Sequence, residues 1–221
     1  MASTVRVWDL PTRLFHWLLT LAIVGLVVTA QLVGFAMDWH FRLGYTVLSL
    51  LLFRLVWGFV GGHWSRFSSF LSSPAVLLRY IKGAGQSKQS LGHNPLGALS
   101  VVAMLMFLAL QVASGLFSDD EISAYGPLGK FVSSNIVASA TYYHTQIGKL
   151  VLLALIALHL LAIGFYFFRK KTNLVVPMVF GNKESDSEVK SSRDDRVSRA
   201  IAFMIFLLCS ALVALIVKLA G

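Results

Sequence analysis

The chain has 221 residues, of which 57% are hydrophobic and only 13% are charged. This balance is unusual for a soluble domain and predicts an integral membrane protein. The formal net charge of +9 does not indicate a nucleic-acid partner, because the basic residues lie in particular connections and not on one polar surface. The single cysteine, Cys209, excludes a CxxCH haem attachment, a cysteine-ligated iron–sulfur cluster and an internal disulfide.

Five apolar stretches are long enough to cross about 30 Å of hydrocarbon, which takes about 20 residues each. We predict a transmembrane helix for each of them. The first should remain on the mature protein, because it lacks the short apolar core and cleavage site of a signal peptide. The predicted stretches are residues 14–35, 43–60, 96–117, 150–168 and 200–219.

Most of the lysines and arginines lie before the first stretch, between the second and third, and between the fourth and fifth. The positive-inside rule therefore predicts a cytoplasmic N-terminus and a C-terminus on the far side of the membrane. The sequence divides into a transmembrane domain over residues 1–180, a charged cytoplasmic linker over 181–198 and an additional helix over 199–221. The linker lacks hydrophobic periodicity and is predicted to be mobile.

Four histidines lie near the ends of the predicted helices. His144 and His159 are separated on one helix by about 22 Å of rise and roughly 60° of rotation, so both can face the same bundle interior. With the N-terminus inside, depth pairs His16 with His159 near the inner face and His40 with His144 near the outer face. Two such pairs suit low-spin haems with two histidine ligands, which transfer electrons. Zinc is the alternative, although it prefers four ligands.

Two glycines and two arginines accompany these histidines. Gly44 and Gly148 each follow a histidine by one helical turn, which would clear room for a flat macrocycle, or would simply allow close helix packing. Arg13 either extends to the lipid headgroups or binds an acidic cofactor group. Arg54 lies inside an apolar stretch and needs a partner. We predict that both arginines neutralise haem propionates.

The sequence resembles the bacterial cytochrome b561 family, which includes the b-type cytochrome subunits of nickel–iron hydrogenases. The resemblance covers roughly residues 5–181. It depends on His144 and His159 of the fourth helix, together with VWDLPTRLFHW near the N-terminus, HFRLGYTVLSLLLFRLVWGFVG from His40 and LGHNPLG from Leu91. Each motif alone would be weak evidence, but together they are specific.

The resemblance implies an all-α membrane protein with a four-helix bundle. This bundle would hold two non-covalent haem b groups on the four histidines, in the bacterial inner membrane. In that membrane the positive-inside rule predicts a periplasmic C-terminus. It also implies electron exchange with the quinone pool. The fifth helix departs from the family pattern, and His63 and His93 are expected to have no cofactor role.

We therefore expect an electron-transfer subunit, within a quinol or quinone oxidoreductase, that connects quinone to a periplasmic c-type cytochrome or a membrane-bound complex. Superoxide:quinone oxidoreduction is an alternative, but it would favour a positive outer face. The outer connections carry more acidic than basic residues, with an acidic cluster at Asp119, Asp120 and Glu121. A non-redox anchor or transporter is the third alternative. The sequence leaves a homo-oligomer open.

Overall fold

The computed structural model describes residues 3–32, 36–82, 91–121, 124–185 and 188–220. Within these residues, five helices are long and apolar enough to cross a membrane, which confirms the predicted multi-pass helical architecture. The predicted end of the first stretch, residue 35, lies outside the described residues. The five spans are α1 (Leu10–Thr29), α2 (Ala36–Val60), α5 (Pro95–Leu116), the continuous helical segment Ser134–Phe168, and α9 (Arg196–Ala220).

Two helix starts follow directly from the local sequence. The backbone N–H of Thr12 donates to the Asp9 carboxylate over 2.9 Å, and that of Gly97 donates to the Asn94 side chain over 2.8 Å. Each bond satisfies one of the N–H groups that a first helical turn leaves without a partner. A proline lies in the first turn of both α1 and α5, where its missing N–H costs nothing.

The fourth span begins well before the apolar stretch at residue 150. It consists of α6 (Ser134–Tyr142), a π-helical segment (Tyr143–Gly148) and α7 (Lys149–Phe168). Its first part is rich in serine and threonine, which is why an apolar window misses it. These hydroxyls donate to the carbonyl one turn earlier, as Thr141 does to Val137 over 2.9 Å, and are thereby satisfied within the helix.

The chain forms two compact units. Unit 1 comprises Met1–Phe15, Arg54–Ala103 and Leu158–Met204. Its short helices are α3 (Phe67–Phe70), α4 (Pro74–Ile81) and α8 (Val175–Phe180).

A two-stranded antiparallel sheet in unit 1 corrects our interpretation of the charged segment. Strand β1 (Ser3–Arg6) pairs with β2 (Asn182–Ser185), which lies in the stretch predicted to be a mobile linker. Further along, the hydroxyl of Ser192 donates to the carbonyl of Val7 over 2.8 Å. Backbone pairing needs no hydrophobic pattern on the added strand, so the absence of periodicity was misleading here.

A buried carboxylate connects several parts of unit 1. Asp9 is 0% exposed and also accepts hydrogen bonds from the Trp57 indole at 3.2 Å, the Gly62 backbone at 3.0 Å and the Ser65 hydroxyl at 2.9 Å. A buried carboxylate is costly unless donors surround it, and here they come from the end of α2 and the turn after it. The start of α1 is therefore joined to the end of α2.

Unit 2 comprises His16–Phe53, Met104–Ala157 and Ile205–Gly221. Its core contains Ala22 of α1, Val47 of α2, and Leu108 and Val112 of α5, with Leu152 of α7 packed against it. Part of α9 also belongs to this unit. Cys209 and Val213 on α9 are buried, and Phe206 meets Phe53 of α2 edge to face with ring centroids 6.2 Å apart.

The Asp9 network predicts a specific loss of stability. Asp9→Asn keeps the shape of the side chain but removes its negative charge. Its amide N–H₂ group would also face the N–H and O–H groups that now donate to the carboxylate. Losing charge-assisted bonds should cost about 2 kcal/mol and lower the unfolding temperature of the purified protein by roughly 4–8 °C. Asp38→Asn is the matched control, because Asp38 is an exposed acidic residue in the first turn of α2. Equal unfolding temperatures for the two variants would contradict this account.

Candidate functional site

A cavity of about 340 Å³ lies within unit 2 among α1, α2, α5 and the fourth span. Most of its wall is apolar, and the rings of His40 and His144 both line it. A mostly apolar pocket with a few polar groups facing each other is typical of cofactor sites. Two of the four predicted histidines are therefore brought together.

The environment of His40 determines which of its ring nitrogens is available. Its Nδ1 lies 3.1 Å from the hydroxyl of Thr29. That hydroxyl donates its own hydrogen to the carbonyl of Gly25 over 2.8 Å, so toward His40 it acts as an acceptor. Nδ1 of His40 therefore carries the proton, and Nε2 keeps a free lone pair that can bind a metal.

His144 is oriented in the same way by a different group. Its Nδ1 lies 2.8 Å from the backbone carbonyl of Gln111 and donates to it. The Gln111 side chain returns a hydrogen bond to the backbone carbonyl of His144 over 2.9 Å. His144 lies in the π-helical segment, a distortion often found at functional sites. Its Nε2 is again the nitrogen left to bind a metal.

The two rings have the separation that a shared metal would require. Their centroids are 6.3 Å apart and their planes are inclined by 87°. Two imidazoles on opposite sides of one metal, each with a bond of about 2 Å and a ring radius of about 1 Å, have centroids roughly 6 Å apart. The residues present fit a haem iron held by two histidines.

The glycines near this cavity differ in what surrounds them. Gly44 lines the cavity, and a Cβ placed there would meet nothing within 4 Å. A Cβ on Gly115 of α5 would lie 2.8 Å from Cε1 of His144, so this glycine makes room for the imidazole. At Gly148 a Cβ would collide with the side chain of Gln111, so this glycine makes room for that side chain, and its role toward a cofactor stays a prediction.

The other two predicted ligands lie in different units. His16 is on α1 in unit 2, and His159 is on α7 in unit 1. Their pairing stays a prediction.

His93 belongs to unit 1, where its ring lies 4.8 Å from that of Trp8 and 4.8 Å from that of Phe70. Burial lowers the pKa of His93 to about 4, with a smaller contribution from the charge of Arg54. The ring is therefore neutral at physiological pH and packs against aromatic neighbours.

Both predicted arginines lie in unit 1. Arg54 is 4% exposed, and its guanidinium lies 4.9 Å from the centre of the Phe67 ring. Its Nη1 has no hydrogen-bond partner among the described residues. Arg13 donates through Nη1 to the carbonyl of Val179 at the end of α8, while its buried Nε has no partner in the part of the chain that the structure describes. Each side chain thus keeps a buried donor that an anionic group could use.

The sequence profile described as Prokaryotic cytochrome b561 matches residues 7–181. The chain belongs to the prokaryotic cytochrome b561 family. The resemblance seen in the N-terminal, His40 and LGHNPLG motifs is confirmed, and α9 lies outside the matched part. Membership of this family of b-type cytochromes implies a b-type haem as cofactor.

Similar proteins carry a related description. The chain is 27% identical over 149 residues to a probable Ni/Fe-hydrogenase B-type cytochrome subunit of Bradyrhizobium diazoefficiens, covering 53% of this chain and 60% of that protein. It is 25% identical to a probable Ni/Fe-hydrogenase 1 B-type cytochrome subunit of Escherichia coli K12, covering 57% and 64%. With a Rhizobium leguminosarum subunit, 23% identity extends over 82% of this chain and 89% of the relative. No solved structure matches the chain.

The chain thus spans about 60% of the length of the first of these relatives and 64% of the second.

Sequence reasoning missed several groups around the cavity of this b561 family member. Gln111 and Lys149 both line the cavity. The sequence could have drawn attention to Gln111, an amide inside an apolar stretch, and to Lys149, a cation directly before one. The roles of Thr29 and Gly115 depend on contacts across helices, which no local pattern reveals.

Proposed function

We propose that this cytochrome holds two haem b groups and carries electrons between membrane quinone and a protein redox partner. One haem would bind His40 and His144, and the other His16 and His159. The observation that supports this most is the pair of imidazoles, each with Nε2 available, facing one mostly apolar cavity. Two histidine ligands leave an iron no open position, which favours electron transfer over oxygen binding.

The chain's own residues would prepare this site before any electron moves. The Thr29 hydroxyl and the Gln111 carbonyl hold the two imidazoles in the required tautomer and orientation, and hydrogen bonds of this kind raise ligand basicity. The apolar helices keep water away from the metal. The bound haem supplies the one-electron chemistry, and the protein positions it and sets its potential.

Arg13 and Arg54 are proposed to neutralise haem propionates. Both have a buried donor nitrogen that no described residue accepts from, and guanidinium groups bind carboxylates through parallel hydrogen bonds. A propionate would also supply the anionic partner that an arginine at lipid depth requires.

We further propose the bacterial inner membrane as the location, with a cytoplasmic N-terminus and a periplasmic C-terminus. The redox partner would then dock at the outer acidic cluster. Two members of that cluster, Asp119 and Asp120, line the His40–His144 cavity. The names of the relatives make a hydrogenase one candidate partner, and a basic c-type cytochrome is the other.

Replacement of the histidines should identify the haem ligands. A pyridine haemochrome assay of the native protein should give two haem b groups per chain. His40→Ala and His144→Ala should each lose the same spectral component, while His16→Ala and His159→Ala lose the other. His63→Ala is the control and should keep both haems. One haem or none in well-folded native protein would contradict the proposal, and shared loss by His40→Ala and His16→Ala would contradict the pairing.

Gly44 on α2 offers a second test. Gly44→Ala should reduce binding of the outer haem several-fold without destabilising the polypeptide, because its Cβ enters the cavity and alanine favours helix by about 1 kcal/mol. Gly164→Ala on α7 is the matched control, since a Cβ there also meets nothing within 4 Å but does not line the cavity. Haem content and the reduced-minus-oxidised spectrum measure the difference. Identical spectra for both variants would place the haem away from Gly44.

The acidic cluster predicts a salt-dependent encounter with a basic partner. Stopped-flow electron exchange with a basic c-type cytochrome should be faster at low ionic strength, because charges are screened beyond about 8 Å at physiological salt. Combining Asp119→Asn, Asp120→Asn and Glu121→Gln should remove most of this dependence. These changes keep the oxygens that accept backbone hydrogen bonds from Glu121 and Ala124.

A control variant that neutralises Glu184 and Glu188 should retain the salt dependence, because the proposed topology places these two residues on the opposite side of the membrane. Rates that do not depend on salt in the native protein, or that are unchanged by the triple variant, would remove the cluster from docking.

A further inference from the structure

A second recess in unit 2 lies between α2 and α9. This α2–α9 groove has a volume of about 430 Å³, within the usual range of about 300–1,000 Å³ for small-ligand sites. Because α9 lies outside the family match at residues 7–181, the groove is built partly from a helix that the family pattern does not include. Its lining residues are Tyr45, Thr46, Ser49, Phe206, Ser210, Val213, Ala214, Val217 and Lys218.

The groove wall combines an apolar surface with several hydrogen-bonding groups. Phe206 and the small aliphatic residues of α9 form the apolar part. Tyr45, Ser210 and Lys218, whose side chains end in polar groups, are among the lining residues. Hydroxyls of tyrosine and serine can both donate to a carbonyl oxygen and accept from a hydroxyl group. Such a wall suits a flat, lipid-soluble ring with oxygens at its edge.

The position of Tyr45 connects this groove to the candidate haem site. Tyr45 lines both the α2–α9 groove and the His40–His144 cavity. A ligand in the groove would therefore be separated from the cavity by the thickness of one side chain. Electron tunnelling weakens steeply with distance, and a redox-active ligand in the groove would be close enough to exchange electrons with a haem in the cavity.

We propose that the α2–α9 groove binds the head group of a membrane quinone and exchanges electrons with the haem held by His40 and His144. This inference rests on the function proposed above and assigns it a quinone site. Oxidation of one quinol to quinone breaks two O–H bonds and releases two protons to water. Its two electrons reduce two ferric haems to the ferrous state, and the reverse reaction reduces quinone.

Filling the groove tests the proposal directly. Ala214 lines the groove, whereas Ala211, also exposed on α9, does not. Ala214→Phe should slow haem reduction by a short-chain ubiquinol or menaquinol, assayed separately by stopped-flow, at least tenfold and raise the half-saturating quinol concentration. Ala211→Phe should remain within twofold of the native protein. Reduction by dithionite and the haem spectra should be unchanged in both variants.

A smaller change covers the case in which Ala214→Phe does not fold. Tyr45→Phe retains the ring but removes one hydroxyl, and the loss of one hydrogen bond should weaken quinone binding about fivefold.

Native mass spectrometry of the purified native protein and of Ala214→Phe would identify the bound molecule that the variant loses, either a quinone or a phospholipid. Release of phospholipid with unchanged quinol rates would overturn the proposal.

Two further results separate this proposal from the function proposed above. If quinol reduces the native haems and neither Ala214→Phe nor Tyr45→Phe slows the reaction, the groove assignment is wrong and quinone exchange stands. If neither quinol reduces the native haems while dithionite does, quinone exchange itself is wrong, and the groove assignment is overturned with it.

Discussion

The hydrogen bonds of the buried Asp9 carboxylate are the interaction on which unit 1 depends. Its oxygens accept hydrogen bonds from the first turn of α1, from Trp57 near the end of α2 and from the turn at Gly62 and Ser65. A charge in this position is tolerated only because donors surround it, so the surrounding segments are held in one arrangement. Strand β1, which ends at Arg6, pairs with β2 in the same unit.

The candidate haem cavity relies on the same physical rule in unit 2. In an apolar bundle each polar group needs a partner, and the partners of His40 and His144 are a hydroxyl and a carbonyl that accept from Nδ1. This leaves both Nε2 atoms for a metal. The cofactor site therefore depends on backbone and side-chain acceptors that are not ligands themselves.

The C-terminal part of the chain shows how a family fold can be extended. The profile match ends at residue 181, yet β2 and α9 make defined contacts in the units to which they belong. The part of α9 in unit 2 buries Cys209 and Val213 and forms one wall of a groove beside Tyr45. An added helix can thus create a recess that the matched region lacks.

The sequence by itself determined the five apolar spans and the family, although not where the fourth span begins, because hydrophobic length and motif spacing are local properties. It also selected His40 and His144 as a pair, through their depth. Only the tertiary structure decided that Thr29 and Gln111 set their tautomers and that the charged segment supplies a strand. Those contacts join residues far apart in the chain, and whether two side chains meet depends on how helices pack.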